Sequence, residues 1–348
     1  MAGHQGLEID RRGLLAGSVA LAAATALPGS PSAAQGESLG SAREFTARVQ
    51  AFLGSLDPER TKAASFPWGG QEWKSWNYFG ASGYTKPGLR LEQLTAAQKE
   101  AGWNLLAAVW SPEGLSKAKN VMLLQSVLAS QGDAPDRRSP ERFSFSVFGT
   151  PADKGAWGFR FEGHHLTQSI AVRDGQIVSV TPFSFSVRPN RVESGPHKGL
   201  NTLKVEDALA RKLFADLTPG LQAKARVSDS PIYNIYSSAG RERANAKKEG
   251  LPASSLSSAQ RDLLWQLVET YAVEQVPAAL KDVQRARVRA GDREALHLAW
   301  HGPNNPNKGF GYRLIGDSFV IEFASVDSEA QHLHTIYHDL GNVLGTAA

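Results

Sequence analysis

The stretch A-W-G-F-R-F-E-G-H-H-L-T-Q-S-I-A-V, residues 156–172, decides how the chain is read. Trp157, Phe159 and Phe161 alternate with smaller or polar residues, and Ile170 and Val172 close a second run. That period of two is the signature of half-buried strands. The runs meet at Glu162-Gly163-His164-His165, and a carboxylate beside two imidazoles is more chemistry than a turn requires. Working outward, strands are predicted over 143–148, 157–162, 165–172 and 176–187, with Asp174-Gly175 as the tight turn between the last two.

Upstream of these strands, residues 35–43 read as an unstructured lead-in. Phe45, Val49, Phe52, Leu53 and Leu56 share one helical face, which stops at Asp57-Pro58. An aromatic, glycine-rich loop follows over 66–88. Thr95 and Gln98 form a capping box, and a further amphipathic helix is predicted over 113–129, ending in a polar loop.

Downstream the order repeats. Leu209, Leu213 and Leu217 mark a helix stopped at Thr218-Pro219, a polar loop spans 228–250, and Ser257 and Gln260 repeat the capping box. Strands are predicted again over 296–300, 310–314, 318–324 and 332–338, and F-G-Y-R-L at 310–314 echoes W-G-F-R-F at 157–161. The expected fold is therefore α+β and internally duplicated. Two units, 35–200 and 201–348, each place helices before a four-stranded antiparallel meander, and a pseudo-twofold relates them within one compact domain.

At 348 residues, with 41% hydrophobic and 21% charged residues, the chain can bury a large core. A net charge of +4, and a basic run at 241–248 without interleaved aromatics, argue against a nucleic-acid partner. The absence of cysteine excludes disulfides, thiolate ligands and cysteine nucleophiles. Residues 1–34 read as an export signal of the twin-arginine type. Arg11-Arg12 precedes an apolar run over 14–27 that is too short for a membrane span, and Ser32-Ala33-Ala34 offers a cleavage site. The twin-arginine export machinery is thus an expected partner, and a periplasmic or secreted location is expected.

The histidines after this signal begin at His164 and recur at His165, His197, His297, His301, His332, His334 and His338. In a strand His332 and His334 share a face, about 6–7 Å apart, which suits two ligands of one ion. In a final helix, His334 and His338 would instead share a turn. One of His164 and His165 is expected to join the ligands, and Glu322, alternating with apolar residues, is a candidate carboxylate ligand. A divalent transition metal (Zn, Fe, Mn or Cu) fits such a set. Glu162 and His197 are the candidate acid/base groups. Trp73, Trp76 and Arg160 are candidates for binding a small-molecule or saccharide substrate, although an aromatic loop also serves to cover apolar core. His297 and His301 alternate with Leu296, Leu298 and Trp300 and read as outward-facing. Nucleophile-elbow serines, P-loops and His-Glu-x-x-His are absent.

The motifs W-G-F-R-F-E-G-H-H-L, S-G-P-H-K-G-L and H-L-H-T-I-Y-H-D-L resemble those of the family called domain of unknown function 3500, over nearly all of the chain after the signal. The resemblance implies an exported protein without a settled activity. It also implies that Glu162, His164, His165, His197, His332 and His334 match positions of the family motifs. The tail departs from the family pattern, which has an acidic, amide-rich stretch before His-x-His and an arginine near position 338; this chain has Val326-Asp327-Ser328-Glu329-Ala330-Gln331 and His338. Taken together, the sequence points to an exported metal-dependent hydrolase. A copper or iron oxidoreductase and a non-catalytic periplasmic binding protein are the alternatives.

Overall fold

The computed structural model describes residues 40–79, 86–135, 137–291 and 293–345, so the signal at 1–34 lies outside the described residues. In chain order the first half runs β1 (Gly40–Ser41), α1 (Arg43–Gly54), α2 (Pro58–Ala64), β2 (Ser65–Phe66), α3 (Gln71–Lys74), β3 (Leu89–Arg90), α4 (Ala96–Val109) and α5 (Pro112–Ser130). Its strands are β4 (Ser144–Phe148), β5 (Ala156–Gly163), β6 (Leu166–Arg173), β7 (Gln176–Ser179) and β8 (Phe183–Phe185). The second half runs α6 (Lys204–Ala215), α7 (Pro219–Ala225), β9 (Arg226–Ser228), β10 (Leu251–Pro252), α8 (Ser258–Ala272) and α9 (Ala278–Arg289). It closes with β11 (His297–His301), β12 (Gly311–Ile315), β13 (Phe319–Ser325) and β14 (Leu333–Asp339). The fold is α+β, as expected.

Both capping boxes form. The Gln98 N–H donates to Thr95 Oγ1 at 3.3 Å while the Thr95 N–H donates to Gln98 Oε1 at 3.0 Å, and Ser257 and Gln260 do the same at 3.3 and 2.9 Å. Each glutamine also reaches back to the C-terminal end of the first helix of the preceding pair, Gln98 Nε2 to the Ser55 carbonyl after α1 and Gln260 Nε2 to the Asp216 carbonyl after α6. The two Pro signals do more than stop a helix. Asp57 and Thr218 cap new helices that have Pro58 and Pro219 in their first turns, where a missing N–H costs nothing.

All fourteen strands of the described residues join one sheet, in the order β10-β11-β12-β13-β14-β8-β6-β5-β4-β2, with β1, β3, β7 and β9 on side branches. Ladders are antiparallel except where β2 meets β4 and β9 meets β11. The expected strand over 176–187 is two strands. Pro182, with no N–H to give, separates β7 from β8. This break matters, because β8 pairs with β6 on one side and β14 on the other and so joins the two meanders. The lead-in is also corrected: its end, β1, pairs with β7.

Alternation along the strands sorts the two faces. Trp157, Phe159, Phe161, Tyr312, Phe323 and Tyr337 enter the main core with Phe45, Leu105, Leu264 and other helix residues. The opposite face is roofed by residues 66–79 and 228–250. Their Trp73, Trp76, Tyr78, Ile232 and Ile235 pack on Phe148, Ala324 and Ile336. Gly158 is required there, because a Cβ would lie 2.7 Å from the Trp68 ring and 2.8 Å from Trp73. The strands thus give apolar residues to the helices and Arg160, Glu162, Glu322, His334 and His338 to the loop side.

Candidate metal centre

The β5–β6 turn projects His165 in the left-handed backbone region, at φ 68°. Both backbone groups of the residue are bound. Its N–H donates to the Tyr78 carbonyl at 2.7 Å, and its carbonyl accepts from the Ser186 N–H at 2.8 Å. One residue on, Val187 and Leu333 exchange two backbone hydrogen bonds of 2.9 Å. The path from turn through β8 to β14 therefore brings His165 against His332 and His334, which are far away in sequence. Residues 333–339 are strand, so the helical alternative for His334 and His338 falls.

The three imidazoles converge through the same atom. His332 Nε2 lies 3.0 Å from His165 Nε2 and 3.0 Å from His334 Nε2. A neutral ring nitrogen has either one hydrogen or one lone pair in the ring plane, so it serves one hydrogen-bond partner. Two imidazole nitrogens at this distance cannot both be satisfied by His332 Nε2. A cation at the common focus turns all three lone pairs inward. For nitrogens about 2.0–2.1 Å from a zinc ion, neighbouring ligand atoms are about 2.9–3.4 Å apart, depending on the angle. His165, His332 and His334, whose ligand atoms lie within 4.8 Å of one another, form a group that can hold a metal ion.

The surroundings set the needed protonation state. The Asn234 carbonyl oxygen accepts from the Tyr78 hydroxyl at 2.9 Å and faces His334 Nδ1 at 3.1 Å, placing the hydrogen on Nδ1 and leaving Nε2 free. Burial is the main cause that holds all three imidazoles neutral. It pushes His334 down to about 3, with His332 adding to the effect. His332 falls to about 4, with help from the Arg188 guanidinium. His165 lies well below the ordinary histidine value for the same first reason.

His164 stands beside the group, not in it. Its ring lies on that of His165, with centroids 3.7 Å apart, and its Nδ1 lies 2.7 Å from Arg138 Nη1 and 2.9 Å from Gln125 Oε1. Glu322 also stays out. Its carboxylate accepts from the Tyr236 and Ser237 N–H groups, the Ser237 hydroxyl and Arg313 Nε at 2.7 to 3.1 Å, so its oxygens are already engaged in holding the 228–250 loop down.

This constellation coincides with the motifs read from the sequence. The family model described as "Protein of unknown function (DUF3500)" matches residues 39–343. The chain belongs to that family. No curated protein and no solved structure matches it.

The family member's three imidazoles open onto a cleft of about 1010 Å³ whose walls include Trp76, Tyr78, Lys86, Gln125, Arg138 and His164. Glu162 is fully buried behind that wall. Lys86 Nζ, which lines the cleft, reaches Glu162 Oε2 at 3.4 Å and also donates to the Asn77 carbonyl and side chain. Burial lowers the Lys86 ammonium from its ordinary value, and the Glu162 carboxylate partly offsets this.

Other candidates lie elsewhere. His197 is exposed in the 193–199 turn and is not among the cleft walls. Trp73 is 1% exposed with its Nε1 donating to the Leu344 carbonyl, so it packs the interior and offers no face to a ligand. Trp76 lines the cleft but is only 2% exposed. It donates to Glu242 and lies against His338, whose Nε2 is bonded to the Ser237 carbonyl. Arg160 is fully buried, donating to Ser169 Oγ and to the Glu72 and Trp73 carbonyls. His301, expected to face outward, is buried.

Sequence reasoning missed Lys86, Gln125, Arg138 and Asn234. Arg138 sits in a stretch read as a plain polar loop, and its one available signal was the density of arginine at 137, 138 and 142.

Proposed function

We propose that this chain is an exported metal-dependent enzyme, with hydrolysis as its reaction. The observation that carries the reading is the pair of 3.0 Å contacts made by His332 Nε2, which imidazoles alone cannot satisfy. A divalent ion at this focus, held by three nitrogens with a position left towards the cleft, acts as a Lewis acid and makes water a stronger acid. The chain's own residues supply the rest. Asn234 and Tyr78 hold His334 in its ligating form, and His164 backs the ring of His165. Lys86 and Glu162 are the pair able to take up and return a proton at the cleft wall. Among the described residues the group is three imidazoles with no carboxylate, a set that suits zinc. Copper also accepts three imidazoles, so a copper oxidoreductase is the second reading, separated by metal identity and visible spectrum. Trp73 and Trp76 are too buried to form an open stacking platform, which weakens the case for a non-catalytic binding protein.

Export rests on residues 1–34, read as a twin-arginine-type signal that delivers the chain to the periplasm or beyond. Among the described residues no helix is long and apolar enough to cross a membrane. The like roles of Gln98 and Gln260, and of Arg160 and Arg313, support an internal duplication as the origin of the scaffold. Elemental analysis tests the proposal, using protein purified without chelator or affinity tag. About one equivalent of a transition metal, lost in His332→Ala/His334→Ala, is the expected result. A metal-free protein whose melting temperature ignores added zinc, iron, manganese and copper would sink it.

A further inference from the structure

Resting on the assignment of His165, His332 and His334 as metal ligands, we infer that the substrate is a small molecule carrying an oxyanion, either carboxylate or phosphate, which the guanidinium groups of the cleft wall receive. The walls bear Lys74, Lys86, Arg90, Arg137, Arg138 and Arg142, against one described carboxylate, Asp133. The carboxylates near these arginines are shared. Arg90 and Arg142 both pair with Glu92, at 3.2 and 3.3 Å. Arg138 and Arg188 both pair with Asp133, at 3.2 and 3.0 Å. Among the described residues, the cleft arginines Arg90, Arg138 and Arg142 thus share two carboxylates, one of them also held by Arg188 outside the cleft wall, and retain positive charge. In addition, Arg138 Nε is buried with no hydrogen-bond partner among the described residues.

The ligand set sharpens the argument. Three neutral imidazoles cancel none of a divalent ion's charge, whereas a carboxylate ligand would cancel part of it. Ion and arginines then act on the same partly enclosed space, where charges are screened less than in water. A neutral saccharide would leave that field uncompensated. A planar guanidinium fork matches the two oxygens of a carboxylate or phosphate. Of these cations Arg138 comes closest to the imidazoles, its Nη1 2.7 Å from the Nδ1 of His164, whose ring lies on that of His165, so an anion received beside it is within the same cleft as the ligating nitrogens.

Isothermal titration with inorganic phosphate, succinate and uncharged glucose tests the inference. It is run on the protein as purified and after chelation, and on Arg142→Gln and Arg138→Gln. Arg142 has an exposed partner, so its variant stays informative if Arg138→Gln fails to fold. One of the two anions is expected to bind both metal-loaded and chelated protein, and glucose is not. Each variant should weaken that binding about tenfold, and raising salt from about 50 to about 500 mM should weaken it further. Preference for phosphate marks a phosphate ester as the source of the oxyanion, and preference for succinate marks a carboxylate. Absence of binding by either anion up to about 20 mM overturns the inference even when the protein carries a full equivalent of metal. Anion binding by protein that elemental analysis finds metal-free would keep the oxyanion site and remove the metal assignment beneath it.

Discussion

The β5–β6 turn and the β12–β13 turn each join the second and third strands of a four-stranded meander, yet they carry different chemistry. At the first, Gly163-His164-His165 faces β8 and the start of β14, and His165 meets two further imidazoles. At the second, Gly316-Asp317-Ser318 lies by the end of the 228–250 loop, and Asp317 pairs with Lys248 at 2.5 Å. The strands that feed the turns are alike. Each carries a buried arginine, Arg160 or Arg313, that donates to carbonyls of the loop above. The residue opposite differs: Arg160 faces Ser169 and Arg313 faces Glu322. The second meander thus places its carboxylate where it braces the fold. In the first, Glu162 sits two residues along, held by contacts of 3.4, 3.5 and 3.9 Å, with Oε1 lacking a hydrogen-bond partner among the described residues. A firmly held carboxylate is suited to structure, and a loosely held one beside a lysine is suited to proton transfer.

The sharpest way to break this contrast is to neutralise both carboxylates. Glu322→Gln leaves one acceptor oxygen where two now serve four donors and removes part of the counter-charge of buried Arg313, and should cost about 3 kcal/mol in urea unfolding. Glu162→Gln should cost about 1 kcal/mol and affect activity more than stability. Equal losses of stability would erase the distinction. Next in size is Asn234→Leu, which releases His334 Nδ1 and should weaken metal binding about 10- to 100-fold in a chelator competition. Unchanged affinity would remove Asn234 as the orienting partner.

Acidity gives a third test. Folded His332 and His334 titrate at about 4 and about 3, against about 6.5 when unfolded. Between those values the unfolded chain binds more protons, so stability is full above pH about 6.5 and declines as pH falls towards 4 and below. Chelated protein should show its urea midpoint dropping between pH 7.5 and 5, and a flat midpoint would mean that these imidazoles are not buried neutral. The smallest effect is expected at the plain turn, where Asp317→Asn breaks an exposed pair and should change stability by less than about 0.5 kcal/mol.

Much of this was legible in the chain. Alternation of Trp157, Phe159 and Phe161 marks a strand whichever partner it finds, and Thr95–Gln98 marks a helix start because the capping bonds are local. That one of His164 and His165 would join His332 and His334 was legible from residue type; which of the two does so was not, since it depends on β8, three residues whose pairing on both edges no local pattern encodes. Glu322 resembled a ligand because alternation reports a face and not a destination. The loop carrying Trp73 read either as a ligand platform or as a cover for apolar core; it is a cover, and the space that buries Trp73 is created by Gly158 on a distant strand. Lys86 and Arg138 lie in loops without periodicity, where sequence alone gives no direction to a side chain.

The short β8 has one more implication, for the order of events in folding. The ligand residues His165 and His332 are 167 positions apart, and the final strand must dock on β8 before they can meet. Contacts of such long range form late. An ion held as proposed would therefore mark completed assembly: a chain ending before His332 has His165 but neither of the other two imidazoles.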